Sequence, residues 1–139
     1  MFLFGIVSTS QALFIQNITI TSSNTNDINI RTKVFNNYTF NYYSWNYEIL
    51  NDTITLNICF NPGFGQAYTT LENDFIIPNI NLDTTNYTLI VNVKQRQYLG
   101  NNLWTCDNST IGNDTETILF TTPLLNAVSL PNTAFEQRD

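Results

Sequence analysis

The chain has 139 residues, enough for one domain, and its 42% apolar and 14% aromatic content can supply a hydrophobic core. Eleven acidic residues outnumber five basic ones, and the net charge of −6 argues against nucleic acid or an anionic membrane surface as a partner, since both need clustered Lys and Arg. The absence of His excludes histidine-based catalytic triads and zinc sites with His ligands.

The first twelve residues are apolar from Met1 to Val7 and then small or polar up to Ala12. This order is typical of the end of a secretory signal, so residues 1–12 are predicted to be its remnant. A first β-strand with an irregular apolar start is the alternative. The segment is too short to span a bilayer, so no membrane insertion is expected. We expect a secreted or cell-surface domain over residues 13–125.

Apolar and polar residues alternate with a period of two along this domain, and the spacers are rich in Asn, Asp, Gly and Thr. This pattern predicts β-strands and no helix. Asn51-Asp52 and Gly100-Asn101 are predicted to form tight turns, and Leu103 to Thr105 a short return after the second turn. The main predicted strands cover 13–21, 28–35, 40–50, 53–60, 74–77, 87–98 and 115–122.

Seven strands at this spacing favour an all-β fold, an immunoglobulin-like or fibronectin-type antiparallel β-sandwich, with a jelly roll as the alternative. Trp45 lies in the middle of the third predicted strand, where immunoglobulin-type sandwiches place a core tryptophan. Tyr87 opens a later strand and resembles the residue of a tyrosine corner, whose hydroxyl bonds backbone a few residues upstream. Alternation places Trp45 on the inner face and Tyr42 on the outer face.

The last part of the chain contains two prolines after Thr122 and loses its alternation after Leu125. These features predict a linker over residues 126–139 that leads towards a further C-terminal region.

The two cysteines, Cys59 and Cys106, are predicted to form one disulfide, the simplest arrangement in an exported chain. It would close a loop of roughly 48 residues and contribute about 4 kcal/mol by the chain-entropy model. Cys59 should point away from the apolar row of its strand, so this is not a bond across the core. Two free thiols are the alternative, and two Cys without His make an incomplete metal site.

Motifs of catalysis are missing from the sequence: there is no nucleophile elbow, Walker loop, dinucleotide fingerprint or HExxH. Glu48 and Glu116 are the one carboxylate pair considered for glycoside hydrolysis, and no motif places them in a cleft. The segment 107–114 resembles a calcium loop but fails at its third ligand, so calcium there stays open and a solvated turn is expected. No enzyme, cofactor or metal is predicted.

An aromatic cluster, Phe40 to Tyr47, is the feature best suited to recognise a ligand. Tyr42 on the outer face and Trp104 beside the loop cysteine are the candidate glycan contacts, because exposed aromatic rings stack on sugar rings. Tyr42 packed beneath a neighbouring loop is the alternative. An exposed aromatic pair in a groove would favour sugar binding, and a bare polar sheet face would favour a scaffold.

The order of several segments is distinctive: a Gln11-Ala12 junction, then ITLNICF, NYTLIVNV and TETILFTTPL, and a closing PNTAFEQRD. In this order they resemble the N-terminal immunoglobulin-like sandwich modules of secreted Bacteroidota proteins, especially flavobacterial ones, exported by the type IX secretion system. The resemblance covers 11–139. It implies a C-terminal sorting domain after the linker, although its Tyr-Pro-Asn-Pro-like motif is missing here, and it implies no catalytic residues.

Together these patterns predict a secreted or cell-surface, non-catalytic module for adhesion, scaffolding or protein interaction. A carbohydrate-binding module is the alternative. The expected partner is an extracellular protein or glycan, and the sequence leaves the oligomeric state open.

Overall fold

A computed structural model describes residues 13–24, 27–78, 80, 85–106, 113–124 and 126–130. These residues form strands and turns without a helix, so the prediction of an all-β fold is confirmed. No helix long and apolar enough to cross a membrane occurs among them. The strands are β1 (Phe14–Asn24), β2 (Asp27–Leu50), β3 (Thr53–Ile77), β4 (Thr85–Gln95), β5 (Gln97–Gly100), β6 (Leu103–Thr105), β7 (Asp114–Thr122) and β8 (Val128–Leu130).

Six of the strands form one sheet in the order β7-β4-β3-β2-β1-β8, and β5 and β6 form a separate hairpin. The predicted sheet was wholly antiparallel, but β3 pairs with β4 in parallel, from Thr53↔Thr88 to Phe60↔Gln95. Parallel neighbours need a crossover of a dozen or more residues. The second part of β3 is itself most of that crossover, because the chain continues along β3 to Ile77 before it returns in β4. The sheet is therefore mixed.

The hairpin of β2 and β3 is the longest element, with strands of 24 and 25 residues. Each strand joins two segments that the sequence predicts as separate: 28–35 with 40–50, and 53–60 with 74–77. Their register shifts three times, between Asn36 and Tyr38, Tyr38 and Phe40, and Tyr42 and Ser44. Such irregularities bend a strand pair and raise its twist. Gly63 allows β3 to approach β2 closely at this point, since a Cβ at Gly63 would overlap Thr39.

This bend divides the hairpin between two parts of the molecule. The first part of β2 pairs with β1, and the first part of β3 pairs with β4. The sheet curls until β1 approaches β7, where the Ile15 backbone N–H donates to Asp114 Oδ2 at 2.8 Å. Side chains from both parts meet in one apolar core, which includes Ile18, Ile28, Ile30, Val34, Ile54, Leu56, Phe60, Ile77, Leu89, Val91 and Val93.

The two predicted marker aromatics occupy different environments. Tyr87 is buried and stacks on Phe120 with ring centroids 5.4 Å apart. Its predicted corner hydrogen bond to backbone a few residues upstream falls partly on residues 81–84, which lie outside the described part of the chain. Trp45 is only half-buried and packs at the margin of the core, 4.9 Å from Phe75 and 5.7 Å from Tyr47. The expectation of a fully buried Trp45 is therefore wrong, because its end of β2 has no neighbouring strand beyond it among the described residues.

Both predicted turns are confirmed by the backbone. Asn51 has a φ of 56° between β2 and β3, and Gly100, Asn101 and Asn102 have φ values of 93°, 54° and 62° between β5 and β6. Asn and Gly are the residues that adopt this conformation at least cost.

The ends of the chain differ in what the structure describes. The predicted signal remnant, residues 1–12, lies outside the described residues, as do 131–139 of the predicted linker. Within the same predicted linker, Val128–Leu130 forms β8 and pairs with Ile18 to Ile20 of β1. Three residues are too few to show a period of two, which explains why the sequence gives no strand signal there.

Replacing Phe60 by Ala should cost about 3–5 kcal/mol of unfolding free energy, since this ring is fully buried and packs edge-on against Phe40 at 5.1 Å. Trp45→Ala should cost less, about 1–2 kcal/mol, because Trp45 keeps part of its surface in water. Urea unfolding of both variants measures the difference. Equal losses would mean that Trp45 is a core residue after all.

Candidate functional site

The outer face of the β2–β3–β4 region carries polar side chains in rows that cross the strands. In β4 the buried residues Val91, Val93 and Gln95 alternate with Asn92 and Lys94, so the latter point outward, and Arg96 follows them on the same side. The register aligns Cys59 of β3 with Lys94 and with Ser44 of β2. Period-2 geometry thus builds one continuous polar surface from three strands.

One of these rows is a chain of side-chain hydrogen bonds across four strands. Asn57 donates to Asn46 Oδ1 at 3.0 Å, and Asn92 donates to Asn57 Oδ1 at 3.0 Å. Thr115 Oγ1 completes the row by donating to Asn92 Oδ1 at 2.7 Å. The row leaves hydrogen-bonding groups of the outermost amides exposed at the surface, and neutral amides of this kind suit sugar hydroxyl groups.

The register shift between Tyr42 and Ser44 decides which tyrosine reaches this outer face. Tyr42 is paired with the core residue Phe60 and lies 6.3 Å from the ring of Phe75, and burial raises the pKa of its hydroxyl. Tyr43 points outward instead. The assignment of Tyr42 to the outer face is therefore wrong, because one extra residue in a strand reverses the alternation on either side of it.

The β5–β6 hairpin lies over the outer face and is attached there by the Cys59–Cys106 disulfide, which confirms the predicted pairing. Their Cα atoms are 6.1 Å apart. Cys59 faces away from the core row of Ile58 and Phe60, as expected, yet it is only 6% exposed because the hairpin covers it. The bond thus fixes an otherwise separate two-stranded hairpin to the main sheet.

Arg96 is the centre of the contacts between sheet and hairpin. Its guanidinium carbon lies 4.1 Å from the centroid of the Tyr43 ring and 5.7 Å from that of Trp104. Arg96 Nη1 donates to Asn61 Oδ1 at 2.8 Å, and Asn61 in turn donates to Asn41 Oδ1 at 2.9 Å. Cation–π contact and the amide pair together hold the guanidinium in one orientation.

Trp104 is 42% exposed and stands beside Tyr98, which is 49% exposed, with ring centroids 5.0 Å apart. Between Trp104, Arg96 and the sheet lies an open groove of about 490 Å³, here called the Arg96 groove. Its walls are formed by Tyr43, Ser44, Trp45, Asn46, Asn57, Ile58, Cys59, Lys94, Arg96, Trp104, Thr105 and Cys106. Of the two candidate glycan contacts, Trp104 lines this groove and Tyr42 does not.

The acidic candidates are not brought together. Glu48 is aligned with Thr55 and Ile90 on the outer face, whereas Glu116 is aligned with the core residue Val91. The two carboxylates therefore point to opposite sides of the sheet. The predicted calcium loop, 107–114, falls mostly on residues 107–112, which lie outside the described residues. In the part of the chain that is described, no three His, Cys, Asp or Glu residues are grouped to hold a metal ion.

No protein-family model matches the chain, and the searches for similar curated proteins and similar solved structures found no match. The resemblance to secreted Bacteroidota modules therefore stays a prediction.

Sequence reasoning missed Tyr43 and Arg96 as lining residues of the groove, and Tyr98 as the ring that packs beside Trp104. Tyr43 was hidden by the register shift, for which the sequence gives no signal. Arg96 was the easiest of the three to predict, since alternation along Asn92 and Lys94 places it next on the same outer face, directly after the end of β4.

Removing the disulfide with the double variant Cys59→Ala/Cys106→Ala should lower the unfolding free energy by about 2–4 kcal/mol, because the loop that it closes is long. Urea unfolding measures the loss, and intact mass with and without reductant checks the bond in the parent protein. Tryptophan fluorescence should also shift to the red, because Trp104 would lose its fixed position. A variant as stable as the parent would contradict the anchoring role.

Proposed function

We propose that the protein is a secreted or cell-surface, non-catalytic adhesion module that binds carbohydrate in the Arg96 groove. The single observation that supports this most directly is the exposed ring of Trp104, which lines a groove that also carries the amides of Asn46 and Asn57, with the exposed ring of Tyr98 beside it. Aromatic rings provide stacking surfaces for sugar rings, and amides provide donors and acceptors for their hydroxyl groups.

The groove is open and polar, which suits a hydrated chain of sugars better than a small apolar ligand. The rings of Trp104 and the neighbouring Tyr98 are tilted by 48° to each other, so a sugar stacked on Trp104 would contact the edge of Tyr98. Stacking on one or two exposed rings is a weak interaction, and we expect affinities of roughly micromolar to millimolar. Adhesion through such sites gains strength from several copies on one surface.

The extracellular location rests on two observations. The protein forms a disulfide, which persists in oxidising compartments, and it is poor in Lys. The signal remnant at residues 1–12 and export by the type IX system remain part of the proposal through the resemblance of the sequence.

We also propose that the curled sheet is a variant of the immunoglobulin-like sandwich. The support is the division of the long hairpin between two sides of the core. One side contains β8, β1, the first part of β2 and the second part of β3. The other side contains the first part of β3, which pairs with β4, and β7 beyond it. Strand exchange between two layers through one bent hairpin is a common way to turn the corner of a sandwich.

Trp104→Ala should abolish binding on a polysaccharide array and leave the melting temperature nearly unchanged, because the ring is exposed and lies outside the core. Tyr98→Ala should weaken binding on the same array. The matched control is Tyr68→Ala, which removes an exposed tyrosine remote from the groove and should have no effect on binding. Loss of stability in Trp104→Ala together with no glycan signal from the parent protein would rule the proposal out.

A second candidate function, protein interaction, is supported by the free edge of β2. β1 covers β2 only from Asp27 to Phe35, so beyond this point no described strand lies on that side of Asn41 to Leu50. Tyr47, Ile49 and Leu50 are exposed along the same edge. Edges of this kind pair with an extended strand of another chain, here a second copy of this protein.

The edge predicts concentration-dependent dimers of the parent protein in sedimentation velocity. Ile49→Lys should keep the protein monomeric, since a charge on the edge opposes pairing. Thr88→Lys adds the same charge on β4, which is covered by strands on both sides, and serves as the control. A parent protein that stays monomeric at every concentration would exclude this candidate.

A further inference from the structure

Positive charge is concentrated in the Arg96 groove although the whole chain is acidic. The net charge is −6 and only five residues are basic, yet two of them, Lys94 and Arg96, line this one groove. No acidic residue is among its described lining residues. A groove with this local excess of positive charge favours anions even when the distant surface repels them, since electrostatic interactions decay over about 10 Å at moderate salt.

A comparison of two arginines, the exposed Arg31 and the half-buried Arg96, shows how different the groove is. Arg31 is bonded through Nε and Nη2 to the two carboxylate oxygens of Asp74, at 2.8 and 3.0 Å, and this guanidinium holds the pKa of Asp74 below its usual range. Arg96 has no carboxylate partner among the described residues. Its side-chain hydrogen bond goes to the neutral amide oxygen of Asn61 instead.

The guanidinium of Arg96 is nevertheless held in place. Tyr43 lies under it at 4.1 Å, Asn61 accepts from Nη1, and Asn41 fixes Asn61 from the other side. Arg96 Nε is buried without a hydrogen-bond acceptor in the described part of the chain, so an anion would have to bind through the Nη atoms of the guanidinium. An immobilised guanidinium with unused donors loses little side-chain entropy when an anion binds, which makes it an effective anion contact.

We propose that the Arg96 groove selects acidic glycans, and that a carboxylate of a uronic-acid unit binds Arg96 with Lys94 beside it while a sugar ring stacks on Trp104. This inference rests on the proposed carbohydrate-binding function and adds the class of sugar. A planar carboxylate matches the fork of a guanidinium, and such charge-assisted bonds are about twice as strong as neutral ones. The amides of Asn46 and Asn57 remain for hydroxyl groups of the same chain.

The test compares two ligands with the same sugar backbone, one charged and one neutral: oligogalacturonate and the same oligosaccharide with its carboxylates methyl-esterified. Isothermal titration should show binding of the acidic form and an affinity at least about tenfold lower for the ester. Raising the salt concentration should lower the affinity for the acidic ligand and leave the affinity for the ester unchanged. Sulfated oligosaccharides form a third arm, and a preference for them over uronate would overturn the carboxylate assignment.

Variants at Arg96 and Lys94 show which residues cause the preference for the acidic ligand. Arg96→Gln should lower the affinity for oligogalacturonate by about tenfold or more and leave the affinity for the ester unchanged, whereas Arg96→Lys should restore part of the binding. Lys94→Gln removes a charge without breaking a described side-chain hydrogen bond, and it should also lower the affinity for the acidic ligand. Lys33→Gln, an equal charge change remote from the groove, is the control. Circular dichroism of each variant checks that it is folded.

The outcomes separate this inference from the function on which it rests. If both ligands bind equally and Arg96→Gln affects neither, the acidic selectivity is wrong while carbohydrate binding stands. If no glycan of either charge binds the folded parent protein, the proposed function fails and the inference fails with it. If Arg96→Gln weakens both ligands equally, Arg96 acts by holding the groove in shape, which also overturns its assignment as a carboxylate contact.

Discussion

The rest of the structure depends on the pairing of β2 with β3 and on the places where the register of that pairing shifts. A strand presents alternate residues to opposite faces, so each extra residue reverses every assignment beyond it. The register shifts between Asn36 and Ser44 lie where the hairpin bends from one part of the sheet to the other. They close the apolar rows of both parts around one core, and the last of them turns Tyr43 outward. The core and the candidate site are thus produced by the same irregularity.

The outer face shows how a protein with few charges builds a defined polar surface. Salt bridges play a minor part: Arg31 and Asp74 form an exposed pair of the kind that contributes little to stability. Amide rows take their place, with Asn46, Asn57 and Asn92 in register on three strands. Such neutral rows need no counter-ions and do not compete for Arg96. They leave its charge available, and they position its neighbours by hydrogen bonds that salt does not screen.

Local patterns in the sequence were sufficient for the all-β class and most strand segments, for the turns at Asn51 and Gly100, and for the disulfide with Cys59 facing away from the core. Features that depend on residues distant in the sequence could not be predicted from these local patterns. The continuity of β2 through Asn36 depends on its partner in β3, the parallel pairing of β4 depends on the path of the second part of β3, and β8 depends on the exposed edge of β1. Of the two predicted glycan contacts, Trp104 lines the Arg96 groove and its role there stays a prediction. Tyr43 and not Tyr42 lines the groove, because a register shift leaves no signal in composition or periodicity.

The net charge illustrates why a global quantity cannot decide what a local site binds. A charge of −6 argues against polyanions that must cover a wide surface, such as nucleic acid, because many contacts would then meet repulsion. A single sugar unit covers only one groove and responds to the few charges within a screening length of it. In that groove the described residues supply Lys94 and Arg96 and no carboxylate. Under the proposed binding of acidic glycans, the acidic remainder of the surface would add selectivity, since it would repel anionic chains that cannot place a charged group beside Arg96 and stack on Trp104 at the same time.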